Sequence, residues 1–213
     1  MSTSKPLEIA IRKVKAGQEK AFVQARASFI NKLKKQESVE RDWEFKSFFS
    51  MPDKDDTDVF IGMTRYVSMD AVSQISSSLM DTDIAQSFFT TFDMKAFVLV
   101  NSADGDDFRL EDIISSPEHV LEVAVRTPKE GFEDQFDGLR KGFFDLVAAQ
   151  PGYIMDKEFI DVQTGARVVL IAWKSQDAFQ NALGVLSVKA EMGAFFAAIE
   201  ASAYQAMKPI DNS

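Results

Sequence analysis

Residues 7–22 read LEIAIRKVKAGQEKAF, and residues 121–136 read LEVAVRTPKEGFEDQF. Leu7, Glu8, Ala10 and Arg12 recur as Leu121, Glu122, Ala124 and Arg126. Lys15, Gly17, Glu19 and Phe22 recur as Lys129, Gly131, Glu133 and Phe136, so every pair is displaced by the same 114 positions. A displacement held across a strand, a turn and the start of a helix marks one structural unit present twice. Whatever the first hundred residues fold into, the last hundred are expected to fold into as well.

The unit can be read element by element. Leu7–Val14 alternates apolar and polar residues at the period of a strand with two unlike faces. Over residues 16–36 the period changes, and Phe22, Ala25, Phe29 and Leu33 form one helical stripe. Residues 43–51, aromatic-rich, read as a second strand and residues 59–67 as a third, with turn chemistry at PDKDDTD between them. Ser68 and Asp70 offer caps for a helix through Leu79; Asp81 restarts helix toward Thr91, and residues 92–100 close the unit as a fourth strand.

Strand, helix, strand, strand, helix, strand is the ferredoxin-like order. The second half follows it: a strand at 121–126, a helical stripe of Phe132, Phe136, Leu139, Phe143 and Leu146, a hairpin of 153–162 with 167–174, and short helices at 177–186 and 189–200. After the hairpin the displacement becomes 107, pairing Asp70-Ala71 with Asp177-Ala178 and Phe88-Phe89 with Phe195-Phe196. The lost residues fall in a hairpin tip, where length changes are tolerated.

The expected organisation is therefore a ferredoxin-like unit over 1–100, an acidic linker over 101–118 and a second unit over 119–213. The linker, NSADGDDFRLEDIISSPE, reads first as a solvated strap with one short turn of helix at 110–114, although a connection longer than needed can also be functional or wrap a surface. Helices cover one face of each four-stranded sheet, and an apolar second face must be buried too. Two units in one chain can bury those faces against each other. The fold class expected is α+β: two βαββαβ repeats packed sheet to sheet as a fused, pseudo-dimeric barrel, with further homo-oligomerisation left open.

Composition removes several classes of function. With no cysteine there are no disulfides, thiolate nucleophiles or cysteine-ligated metals, and the single histidine, His119, excludes a multi-histidine metal site. A formal charge of −9 opposes nucleic acid and anionic membrane as partners. No run is long enough to span a bilayer. The opening MSTSKPLEIA lacks an apolar stretch of signal-peptide length, so the expected location is cytoplasmic.

The segment from Gly152, GYIMDKEFIDVQTGARVVLIAWKSQDAFQNA, resembles the antibiotic-biosynthesis-monooxygenase type of dimeric α+β barrel. Pro151-Gly152, Trp173 and Asp177-Ala178 match that family's Pro-Gly, strand-end Trp and helix-opening acid-Ala. The resemblance implies a cofactor-independent oxygenase acting on an aromatic or polycyclic molecule in an inter-sheet cavity, where Trp173 and its counterpart Tyr66 would stack on the substrate. Members commonly carry Glu two residues before the Trp; Ile171 and Thr64 stand there. Of the Asn, Trp and His of the haem-degrading branch this chain keeps only the Trp.

Alternation on the first strand of each unit separates Ile9 and Ile11 from Glu8, Ala10 and Arg12, and Val123 and Val125 from Glu122, Ala124 and Arg126. If the apolar sets face the helices, Glu8, Arg12, Glu122 and Arg126 point into the space between the sheets. There a guanidinium can hold a ligand carboxylate or phenolate, and a desolvated Glu can serve as a general base. The competing reading pairs Glu8 with Arg12 and Glu122 with Arg126, or pairs them across the two strands, as mere neutralisation of charge at the barrel ends. The candidate ligand residues are thus Glu8, Arg12, Tyr66, Glu122, Arg126 and Trp173, with no cofactor implied and a small apolar or aromatic molecule as partner. The alternatives are a binding protein with a degenerate site and a haem or tetrapyrrole binder.

Overall fold

The computed structural model describes residues 4–53 and 57–209, with side chains through residue 206. The first half contains β1 (Leu7–Val14), α1 (Glu19–Leu33), β2 (Val39–Met51), β3 (Val59–Tyr66), α2 (Met69–Leu79), α3 (Asp83–Phe89) and β4 (Phe92–Ser102). After a 3-10 turn at Leu110–Asp112 come β5 (Val120–Pro128), α4 (Phe136–Ala148), β6 (Tyr153–Asp161), β7 (Arg167–Trp173), α5 (Gln176–Leu186), α6 (Ala190–Ala197) and β8 (Ile199–Pro209). All eight strands close into one antiparallel barrel in the order β1-β3-β2-β8-β5-β7-β6-β4.

The halves contribute adjacent quartets, β4-β1-β3-β2 and β8-β5-β7-β6, and join where β2 pairs β8 and β4 pairs β6. The expected caps are in place. Ser68 Oγ accepts from the Ala71 amide at 3.2 Å and Ser175 Oγ from the Ala178 amide at 3.1 Å, satisfying orphan donors at the starts of α2 and α5. Gly152 sits at φ +86°, and a Cβ there would meet Ala178 Cβ at 2.4 Å. The Pro-Gly and Asp-Ala pairs are therefore two sides of one close contact between a turn and α5.

Two boundaries differ from the sequence expectation. The last helix stops at Ala197, and β8 begins at Ile199, because Ile199 pairs with Pro128 at the end of β5. The apolar run AFFAAI suits a buried helix or a buried strand, and barrel closure decides it. Likewise β2 starts at Val39, so the charged residues before Trp43 belong to the strand and pair with the end of β3.

The face assignment is reversed. Ile9, Ile11, Phe45, Ile61 and Met63 meet Leu121, Val123 and Leu170 in the barrel interior, all fully buried. The inter-sheet space is thus filled core, and the substrate cavity expected there is not in that place. A closed barrel shuts water out from every side, so the purely apolar alternates go inside. The mixed alternates, Glu8, Ala10 and Arg12 with Glu122, Ala124 and Arg126, lie under the helices.

The linker is not a solvated strap. Leu110 and Ile113 are buried in the barrel core, and Phe108 packs edge-on against Phe159 at 5.2 Å. Burying two such side chains is worth about 1.5–3 kcal/mol each. Arg65 donates to both oxygens of Asp107 at 2.7 and 2.8 Å, and Arg41 pairs with Glu111 at 3.2 Å. Among the described residues no helix is long and apolar enough to cross a membrane.

Candidate functional site

Under the helices the two halves pack differently. In the second, Phe136, Phe143, Val147, Trp173, Phe179 and Phe195 share one continuous cluster. In the first, the apolar residues divide into a group around Ile30, Ile75 and Leu79 and a group around Phe22, Phe60 and Phe88. Both groups border a cavity of about 360 Å³ between the sheet and α1, α2 and α3, a size suited to a small ligand.

Its sheet side carries Glu8 and Arg12 from β1, Asp42 from β2, Thr64 and Tyr66 from β3, and Leu99 from β4. Phe29, Ile75, Leu79, Phe88 and Phe89 supply apolar walls from the helices. The exposed residues among its lining are Ser76, Met80, Met94, Phe97 and Gln163, which therefore mark the mouth. Three of these five are large and apolar, and exposed apolar side chains gathered at one opening are a feature of ligand entrances rather than of ordinary surface.

The polar residues of the sheet side form two linked groups. Tyr66 Oη donates to Glu8 Oε2 at 2.8 Å, and Thr64 Oγ1 donates to Asp42 Oδ2 at 3.1 Å. Behind them, Arg26 of α1 donates to Asp42 Oδ1 at 2.6 Å and through Nε to Glu44, while Arg12 Nη2 donates to Glu44 Oε2 at 2.7 Å. The Arg12 guanidinium lies 5.2–5.8 Å from the ring centroids of Phe88, Phe92 and Phe22. It is held by one carboxylate and three rings, so Arg12 is structural neutralisation more than a free anion clamp.

Burial pushes the Glu8 carboxyl above its ordinary range, only partly opposed by the Tyr66 hydrogen bond and the Arg12 charge, with Asp42 adding to the rise. Asp42 is raised for the same first reason, against Arg26 and with Glu44. The Tyr66 phenol is raised by burial and by the neighbouring Glu8 carboxylate. The site therefore holds a carboxylate of enhanced basicity next to a phenol that stays protonated.

The second half reproduces the scaffold and loses the space. Arg126 donates to Glu158 at 2.6 Å, Arg140 to Glu158 and to Asp156 at 2.8 Å each, and Tyr153 to Asp156 at 2.5 Å. Trp173 Nε1 reaches Glu122 at 3.4 Å, where Tyr66 reaches Glu8. Burial raises Glu122, against the hydrogen bonds of Trp173 and Gln205 and the Arg126 charge, and burial lowers Arg126 against Glu158. The cavity here is only about 50 Å³. Ile171, Trp173, Phe179 and Leu183 stand where the first half has Thr64, Tyr66, Val72 and Ser76, and each is the larger residue.

Of the six residues expected at one site, the structure brings Glu8, Arg12 and Tyr66 to the large cavity and Glu122 and Trp173 to the small one. Arg126 is buried beside the latter, on Glu158. Neither expected Glu–Arg pair is a direct contact: both Arg residues take a carboxylate from β2 or β6 instead. Sequence reasoning missed Arg26, Asp42 and Glu44. Their signal was the same displacement of 114, which carries them onto Arg140, Asp156 and Glu158. His119 is far in role from this site; its Nδ1 lies 3.0 Å from the Ile113 carbonyl in the linker.

No protein-family model matches the sequence, and no curated protein matches it. Solved structures do match, over nearly the whole chain. A chlorite dismutase-like protein superposes with a TM-score of 0.63 at 11% identity, covering 99% of this chain and 96% of its own. A monooxygenase-like protein of Fusobacterium nucleatum gives 0.57 at 11% identity over 99% and 96%. A haem-binding protein of Thermus thermophilus gives 0.57 at 8% identity over 100% and 94%. The neighbours are dimeric α+β barrel proteins, and what this chain shares with them is the α+β fold with an eight-stranded antiparallel barrel; at such identities the likeness is one of fold alone.

Proposed function

We propose that the chain binds a small aromatic or polycyclic molecule in the cavity of its first half and oxidises it with dioxygen, without a bound cofactor. The observation that carries this reading is the Glu8–Tyr66 pair at one side of an aromatic-walled cavity of about 360 Å³. Glu8, with its raised pKa, would take a proton from a carbon acid flanked by aryl rings. Once it has taken the proton, Glu8 can donate to Tyr66 Oη instead of accepting from it, which would free the single Tyr66 hydroxyl hydrogen to stabilise the enolate oxygen that results. The enolate would then reduce dioxygen: a carbon–oxygen bond forms, the oxygen–oxygen bond breaks, one oxygen stays as a ketone and the other leaves as water. The fold shared with a monooxygenase-like protein supports the class of reaction and no more than that.

The chain is further read as a tandem duplication, 1–100 and 119–213 joined by 101–118, in which one chain does the work of a pair of subunits. The scaffold repeated at a displacement of 114 positions supports this, and so does the second cavity, reduced to about 50 Å³ as if one pocket of a pair had been given up.

A haem site fits the residues poorly. Among the axial ligands that haem proteins use, the cavity offers Tyr66, already donating to Glu8, and Met80 and Met94 at its rim. A second reading, binding without turnover, draws on the depth of Glu8 and on the closure of the second cavity. Oxygen uptake by the purified protein on anthrone-type and dihydroxy-aromatic compounds separates the two. Turnover that falls about 10²- to 10⁴-fold in Glu8→Gln supports the oxygenase; binding across the panel with no oxygen consumed leaves the binder.

A further inference from the structure

The turn between β6 and β7, Asp161 to Gly165, comes from the second half, yet Gln163 at its tip lines the first half's cavity. Its placement is not that of a loose loop. Asp161 is buried, and its Oδ1 accepts from the Leu99 amide at 3.0 Å while the Val162 amide donates to the Leu99 carbonyl at 2.8 Å. Asp161 Oδ2 accepts from the Thr164 amide at 3.0 Å and from its hydroxyl at 2.5 Å, and the Gly165 amide returns to the Asp161 carbonyl at 2.9 Å. Gly165, at φ +74°, allows the tight reversal. Leu99 is the β4 residue opposite Glu8 and is itself part of the cavity wall. The turn is therefore pinned, through both backbone groups of one wall residue, one strand away from the proposed base.

This gives the cavity polar groups at two ends. Deep inside are Glu8, Tyr66, Thr64 and Asp42; at the mouth the long Gln163 amide and the short Ser76 hydroxyl are the polar side chains among Met80, Met94 and Phe97. Between the ends the walls are mainly phenylalanine, leucine, isoleucine and Val72, with the Arg12 guanidinium turned onto Glu44. An apolar wall sorts ligands weakly by size, whereas a fixed hydrogen-bonding group sorts them by whether they carry the matching group. The opposite arrangement holds in the second half, where the segment crossing from the first half is apolar: Phe48 and Phe49 contact Phe179, and Met51 lines the small cavity.

We infer that Gln163 is a ligand-positioning residue supplied by one half to the site of the other, and that the ligand is an uncharged aromatic molecule with a polar group at each end. The inner group donates to Glu8 or Asp42, and the outer one exchanges a hydrogen bond with the Gln163 amide. This rests on the cavity being the ligand site proposed above, and it names which molecules that site takes. It also gives the fused barrel a use, since neither half holds the whole recognition surface.

The test is fluorescence titration of the full chain with 2-naphthol, which is polar at one end, and 2,6-dihydroxynaphthalene, which is polar at both. The wild-type protein is expected to prefer the diol by about 3- to 10-fold, the worth of one net hydrogen bond. Gln163→Ala should bring the ratio to about one by weakening the diol alone, and Gln163→Glu, which still accepts from a hydroxyl, should keep the preference. Gln163 is exposed, so the variants disturb no core. Equal binding of both naphthols, or a diol preference unchanged in Gln163→Ala, overturns the inference and leaves the cavity as a ligand site. No binding of either naphthol overturns both.

Discussion

Tyr66 and Glu8 meet across β3 and β1 with a hydrogen bond of 2.8 Å, and the bond opposes the effect of burial on the carboxyl. Removing it should raise Glu8 further. In Tyr66→Phe the carboxyl is expected to titrate at higher pH than in the wild type, read by carbon-13 NMR of the side-chain carboxyl. Any proton-abstracting activity should gain its acid limb from the same group, rising as Glu8 ionises, so the limb should move to higher pH with it. An unmoved carboxyl resonance would show that Tyr66 does not set its basicity.

The buried ion network is lopsided between the halves. Arg12, Arg26 and Glu44 have side chains no more than 6% exposed; in the second half Arg126 is equally buried at 2%, but the Glu158 and Arg140 around it are 14% and 22% exposed. Removing one partner from a buried group strands the others, at a cost of about 3–5 kcal/mol, whereas at Glu158 the truncation opens the already part-exposed site and lets water reach Arg126 and Arg140. Glu44→Ala should therefore lower the unfolding free energy by about 3–5 kcal/mol in urea, and Glu158→Ala by distinctly less. Equal losses would mean that solvent reaches both networks alike.

Much of the architecture was readable because alternation and helical stripes persist through both halves, and Ser68 and Ser175 announce their helices. The assignment of faces was not. Ile9 and Ile11 on one side of β1 and Glu8 and Arg12 on the other are consistent with either orientation, since both sides of the strand are buried. What decides it is neutralisation from afar: Glu44 on β2 and Arg26 on α1 make the charged side tolerable under the helices, and no local pattern around β1 reveals them. The cavity was equally hidden, because it arises from small differences such as Val72 against Phe179 and Ser76 against Leu183. Those differences become visible only when the two halves are aligned with the space in view.

Gly62 marks another close fit. A Cβ at this position would lie 1.8 Å from Arg12 Nη2 and 3.2 Å from Glu44 Oε2. In the second half Val169 occupies the equivalent place, and Arg126 lies against Phe136, Phe144 and Phe195. Gly62→Ala should thus push the Arg12 guanidinium off Glu44, at about 1–3 kcal/mol of stability. Because Arg12 lines the cavity, naphthol binding should weaken as well. Unchanged stability would mean that Arg12 has a second seat of equal energy.

Three buried carboxyls, Glu8, Asp42 and Glu122, are raised above their ordinary values. A raised carboxyl holds its proton more tightly folded than unfolded, so its contribution is present below the unfolded value near 4.5 for a Glu and is lost as pH climbs through the folded value. Glu122→Gln removes that loss while keeping an oxygen for Trp173 Nε1 and a partner for Gln205. The variant should match the wild type near pH about 4 and exceed it in urea midpoint at pH about 8, with the gap opening as pH rises between them. A constant difference across that range would show that Glu122 titrates alike in both states.

If the first cavity is kept for a ligand, filling it should trade function for stability. The second half shows how: Phe179 and Leu183 stand where the first half has Val72 and Ser76, and its cavity shrinks to about 50 Å³. Placing the same residues in the first half, Val72→Phe with Ser76→Leu, should raise the unfolding free energy by about 0.5–2 kcal/mol, as cavity filling commonly does, and abolish naphthol binding. The two readouts must move in opposite directions. Gain of stability with binding intact would place the ligand somewhere else, and loss of both would mean that α2 cannot accept the larger side chains over a sheet carrying Tyr66 in place of Trp173.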